Sequence, residues 1–113
     1  MNTTLEKDVT DILRGIGVPA HIRGYYYIRE AVVIAADDSD ILAAVTKELY
    51  PAVAKVYSTT PSRVERAIRH AIEVTWKRNL ASPGKGIWCV IKNKPTNSEF
   101  IALLAEKIRL ERM

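Results

Sequence analysis

A chain of 113 residues with 48% apolar side chains is long enough to bury one compact core and too apolar to be a disordered tail. Cys89 stands alone, which excludes an intramolecular disulfide, and neither a membrane-length apolar run nor a signal-peptide pattern is present, so the chain is expected to be soluble and cytoplasmic. The net charge of +4 is polarised: residues 1–58 hold six Lys and Arg against eight Asp and Glu, residues 59–78 five against two, and residues 79–113 six against three, a distribution that favours a polyanion as partner.

The first periodic stretch, near Thr4 to Arg14, sets Leu5, Val9, Ile12 and Leu13 on one side of a short helix, with acids between them. Gly15 and Gly17 offer its stop and Pro19 enforces it. A second helix is expected from Arg23 or Gly24 to about Ala36, with Tyr26, Tyr27, Ala31 and Ile34 among its core contacts. Tyr25, Tyr26 and Tyr27 cannot all face inward, so at least one is expected at the surface. The acidic break Asp37-Asp38-Ser39-Asp40 can cap a third helix over about Ile41 to Tyr50. Pro51 then starts a helix ending around Tyr57, or else kinks one longer helix.

Thr60 and Pro61 are a helix start signal: Thr can cap, and proline suits the first helical position, where its missing N–H is not needed. Val64, Ala67, Ile68, Ala71 and Ile72 recur at helical spacing, and at about 100° per residue Ser62, Arg66, Arg69 and Glu73 fall on the opposite face. Arg63, Glu65, His70 and Lys77 flank them. Val53, Ala54, Tyr57, Thr59, Val64 and Ala67 sit where two helices crossing at a steep angle would touch, with Ala54 as the small residue at the crossing and Ser58 where the turn often carries glycine. This is a helix-turn-helix pattern, whose second helix presents its N-terminal residues to the DNA major groove.

Beyond it, Ala81 to Gly86 reads as a turn-rich loop, and Ile87 to Ile91 as a strand or a buried extended segment holding Cys89, a small core residue. Thr96-Asn97-Ser98-Glu99 is a capping box, followed by the apolar stripe Phe100, Ile101, Leu104, Ala105 and Ile108 of a last helix. The sequence carries no paired carboxylates, Cys/His pair, metal-ligand spacing or phosphate loop, so no catalytic residue, metal or cofactor is expected, and His21 is read as structural.

Three strings, GVPAHIRGYYYIREA from Gly17, TPSRVERAIRHAIEV around Pro61, and KPTNSEFIALLAEKIRLE from Lys94, together resemble the C-terminal DNA-binding effector domain of the master sporulation response regulators (stage zero sporulation protein A) of endospore-forming bacteria. The resemblance covers nearly the whole chain. It implies that Arg63, Glu65 and Arg66 read bases: arginine presents a two-pronged donor to guanine, and glutamate can accept from the cytosine amino group. Glu65 also stands four residues before Arg69, where a surface ion pair is its other reading. Ser62, Arg69 and His70 are candidates for phosphate contact, with His70 equally readable as a plain surface imidazole, and Lys92 and Lys94 for a further backbone clamp.

The similarity lapses between about Asn79 and Asn93. Between Trp76 and Pro95 the relatives carry a longer insert, including a short helix linked to contact with RNA polymerase, through its sigma subunit, and to pairing of adjacent domains as a dimer on tandem DNA sites. DNA binding carries over better than those two properties. No acidic phosphoacceptor pocket of a receiver domain, and so no phosphorylation switch, is expected within these residues, which fits either a cut-out domain or a natural stand-alone version. The expectation is therefore an all-α domain, residues 1–113, of five to six helices containing a helix-turn-helix. It would bind specific double-stranded DNA through a recognition helix at about residues 60–77 and regulate transcription, by the resemblance that of sporulation genes, in a bacterial cytoplasm. The rival is a helical protein-interaction module whose basic face meets an acidic protein.

Overall fold

The computed structural model describes residues 3–81 and 91–113, and all regular structure in them is helical. The first helix, α1 (Thr3–Ile16), buries Leu5, Val9 and Leu13, one residue per turn. It stops at Gly17, not Gly15. Gly17 adopts φ +94°, its N–H bonds to the Arg14 and Leu13 carbonyls, and the Val18 N–H reaches back to Leu13 at 3.1 Å. That is a Schellman closure, which needs a left-handed residue and hence glycine.

Helix α2 (Arg23–Asp37) is the central element, packed against α1 on one side and against the two C-terminal helices on others. It is buried nearly all round, as a central helix should be. Of the three consecutive tyrosines, Tyr25 and Tyr27 are buried and Tyr26 is 40% exposed. The expectation that Tyr26 joins the core is thus corrected. At 100° per residue only the two outer tyrosines flank the buried arc, and Tyr26 instead lies edge-on to Tyr25 with the Arg29 guanidinium 5.3 Å from its ring centre.

The expected third helix over Ile41 to Tyr50 is replaced by a different division. Ser39–Ala44 is a 3₁₀ segment, begun by Asp38, whose side chain accepts from the Asp40 N–H. The chain breaks at Ala44 (φ −139°, ψ 50°) and restarts as a wide π-type turn, Val45–Leu49, that tightens into α3 (Tyr50–Val56). Pro51 stands in the first turn of α3, as expected of a helix start, but α3 continues without a break from the wide turn before it, Leu49 being itself helical (φ −69°, ψ −50°). Proline has no N–H for the carbonyl four residues back, and its ring would press on that carbonyl in a regular helix; the widened turn before it makes room.

The turn after α3 is the one the sequence indicates. Ser58 is left-handed (φ 52°), at a cost of roughly 1–2 kcal/mol for a residue with a Cβ. The Thr59 N–H closes onto the Ala54 carbonyl at 3.0 Å. Thr60 then caps α4 (Pro61–Ala81), its hydroxyl accepting from the Arg63 N–H at 3.2 Å. Val64, Ile68, Ala71, Ile72 and Thr75 are the buried stripe, and α4 runs about a turn beyond the expected end. Ala54 is buried at the crossing, while the Tyr57 ring packs on Tyr27 at 5.2 Å between centres.

The last helix, α5 (Asn97–Glu111), starts with a complete capping box: Thr96 Oγ1 accepts from Glu99 N–H, and Glu99 Oε1 accepts from Thr96 N–H. Those bonds hold the Glu99 carboxyl below its usual range. Phe100, Ile101, Leu104, Ala105 and Ile108 are fully buried, chiefly against α2. The five α-helices among the described residues agree with the all-α expectation. The readings made for the loop up to Gly86, for the run from Ile87 and for Cys89 fall on residues 82–90, outside the described ones; Ile91 packs partly buried against the core.

Candidate nucleic-acid interface

Helix α4 is held on two flanks and leaves a third side open. On one flank α2 crosses it at Gly24: a Cβ there would meet the Ala67 carbonyl oxygen at 2.2 Å and the Ala71 Cβ at 2.6 Å, so only glycine permits this approach. On the other flank the start of α5 and α3 meet it through Asn97. Its side-chain amide donates to the Tyr50 hydroxyl and to the backbone carbonyl of Glu65, both at 3.0 Å. Burial pushes the Tyr50 phenol up, and the Asn97 bond partly opposes that. A further tie runs from Arg78, which donates to the Gly17 carbonyl at 3.3 Å.

The open side carries Ser62, Arg63, Arg66, Arg69 and His70, all exposed. Arg63 and Arg66 have no carboxylate partner among the described residues. Other cations around the helix do. Arg69 bonds to Glu65 at 2.8 Å, and Lys77 sits 3.6 Å from Glu73, which also takes a hydrogen bond from Lys94. The Lys94 ammonium in particular, with Lys77, holds the Glu73 carboxyl below its ordinary value. Glu65 thus adopts its ion-pair geometry with Arg69, turned to the flank that faces α5, and Lys94 is drawn against α4. Lys92 is exposed two residues earlier.

Two depressions border the open side. One, about 410 Å³, lies between α4 and the start of α5, and Tyr50, Glu65, Arg69, Lys94 and Asn97 line it. The other, about 450 Å³, lies between α4 and the start of α2, lined by Arg23, Tyr27, Thr59, Arg63, Arg66 and Ala67. Arg23 and Gly24, read from the sequence as a helix start, Asn97, read as part of a capping box, and Glu73, read only as lying on the outer face, are the residues to which the sequence reading assigned no part in the site. Arg23 carried one local signal: a cation in the first turn of a helix opposes the helix dipole.

Among the described residues no group of three His, Cys, Asp or Glu side chains is placed to hold a metal, and no helix is long and apolar enough to cross a membrane. Compared with known families, residues 9–108 match the family model described as sporulation initiation factor Spo0A C terminal.

Proposed function

Since this chain belongs to the Spo0A C-terminal family, whose members are DNA-binding transcription factor domains and not enzymes, we propose that α4 enters the major groove of a specific DNA sequence and that the protein thereby regulates sporulation genes. The observation that carries this reading is a contrast on and beside one helix: Arg63 and Arg66 of α4 are exposed and without a carboxylate partner among the described residues, whereas Arg69 and Lys77 of α4, and Lys94 next to it, are engaged with acids.

In this reading Arg63 and Arg66 fork onto guanine edges, and the residues at about 60–77 follow the groove. Glu65 leaves Arg69 to accept from a cytosine amino group. That exchange is inexpensive, because an exposed pair one turn apart is worth only a few tenths of a kcal/mol. Arg69, once released, takes a phosphate, as do Ser62 and His70, while Lys92 and Lys94 hold the backbone beside α5. Contact with the RNA polymerase sigma subunit and pairing of copies on tandem sites are attributed to the segment between Trp76 and Pro95, where this sequence departs from the family pattern.

The test is titration of two labelled duplexes, one enriched by the chain from a randomised pool and one its scrambled counterpart, at rising salt. The expected result is a clear preference for the first, with log affinity for both falling by about 0.9 per phosphate neutralised for each log unit of salt. Salt-independent binding without preference would instead favour a basic face that meets an acidic protein.

A further inference from the structure

A helix about 10–12 Å across fills a major groove some 12 Å wide, so the sugar-phosphate backbones on either side run against whatever packs on the flanks of that helix. On the α5 flank of α4 stands Lys94, with Lys92 exposed two residues before it. The α2 flank carries Arg23. Arg23 is exposed and, with Arg63 and Arg66, lines the 450 Å³ depression between the start of α2 and the first turns of α4. Among the described residues none of these three guanidinium groups has a carboxylate partner. Three neighbouring cations without an anion repel one another, and the first turn of α2 adds the positive end of its dipole and contains no acid. Such a cluster is relieved by a polyanion. The position is also fixed: Gly24, next in the chain, is pressed onto the Ala67 carbonyl, so Arg23 cannot drift from α4 without separating two packed helices.

From this we infer that Arg23 is a phosphate clamp for the DNA strand that borders the α2 side of the recognition helix, opposite Lys94 on the α5 side. This rests on the reading that the open side of α4 faces DNA. Arg23 contacts no base: it lies on a helix beside α4, across the depression from Arg63 and Arg66. Its contribution is therefore independent of sequence, while Arg63 and Arg66 of the same cluster discriminate.

Affinities of the intact chain, Arg23→Ala, Arg23→Lys and Lys7→Ala decide the matter, measured on the enriched and scrambled duplexes at several salt concentrations. Lys7 is exposed on α1 and serves as a remote charge. Arg23→Ala is expected to weaken both duplexes alike, roughly tenfold at 0.1 M salt, and to make the salt dependence shallower by about 0.9, the loss of one phosphate contact. Its melting temperature should stay within a degree or two, because an exposed side chain has no core to lose. Arg23→Lys, which keeps the point charge, should restore most of the slope.

Unchanged affinity and slope in Arg23→Ala, or a loss no larger than in Lys7→Ala, would overturn the assignment. So would a loss confined to the enriched duplex. The outcomes separate from those of the broader reading. An intact chain that binds both duplexes equally removes base reading by α4 but still reports on Arg23, whereas one that binds neither duplex removes both.

Discussion

Asn97, the first residue of α5, donates its side-chain amide to the backbone carbonyl of Glu65, a turn into α4, at 3.0 Å. The same amide reaches the Tyr50 hydroxyl, so one side chain joins the helix before the turn, the helix after it, and a third helix 32 residues further on. The angle between the two helices of the helix-turn-helix is therefore held from outside as well as by their own contact.

Replacing Asn97 by Ala should cost about 1–2 kcal/mol, since two partly buried hydrogen bonds are lost at a net value near 1 kcal/mol each and water can reach part of the site. For a domain of this size that is a fall in melting temperature of several degrees. Affinity for enriched and scrambled duplexes should fall together. A variant that melts normally yet loses only sequence preference would show that Asn97 acts on the DNA itself.

Gly24→Ala sets two effects against each other. Alanine improves intrinsic helix propensity by about 1 kcal/mol. Its methyl group would, however, meet the Ala67 carbonyl oxygen at 2.2 Å, a backbone atom that cannot swing aside. Overpacking of this kind costs about 1–3 kcal/mol. The clash should win, with a lower melting temperature and weaker DNA binding because α4 is displaced. A rise in melting temperature would mean that α2 and α4 separate easily.

Arg66 and Arg69 should behave differently on DNA although they are one turn apart. Arg66→Ala should cost about 1–3 kcal/mol on the enriched duplex and much less on the scrambled one, since a guanine contact is lost. Arg69→Ala should weaken both by similar factors and reduce the salt slope by about one unit. Equal losses in both variants on both duplexes would mean that α4 merely attracts DNA by charge.

Glu30 gives a pH signature. It is only 7% exposed in the middle of α2, and burial, then the nearby Glu6, raise its carboxyl above the usual range despite the opposing pull of Arg29. Between the unfolded and the native titration points the native protein thus holds a proton that the unfolded chain has already released. Stability attached to this group is present below the unfolded value of about 4.3 and declines as pH rises through the native one. Glu30→Gln should accordingly raise the melting temperature at pH 7, with an advantage that shrinks towards pH 4. An advantage independent of pH would locate the effect in packing.

Much of this molecule is decided within a few residues along the chain, and that part was legible without coordinates. The Thr60 cap, the Thr96–Glu99 capping box and the glycine stop of α1 each join groups three to five residues apart, so spacing alone specifies them. The stripe from Val64 to Ile72 follows from helical periodicity in the same way, and so does the outward direction of Arg66. The Glu65–Arg69 pair was one of two local readings, and the fold adopts it.

What periodicity does not contain is which side of one helix meets which side of another. Pro51 permits a helix start or a kink, and the packing of Leu49 and Tyr50 into the core selects a continuous path through a widened turn, with the break moved back to Ala44. Gly24 reads in sequence as a helix start, and becomes a contact surface only when α2 is laid across Ala67 and Ala71. Asn97 reads as a filler within a capping box until Glu65 and Tyr50 are brought to it. Arg23 lies some 40 residues from Arg63 and Arg66, and only the crossing of α2 over α4 puts the three around one depression. Local hydrogen bonding and side-chain spacing thus determine the elements, their caps and the exposed face of α4. The flanks of that face are decided by contacts between helices distant in the chain, because burying the apolar stripes of α2, α4 and α5 against one another sets where their polar edges meet.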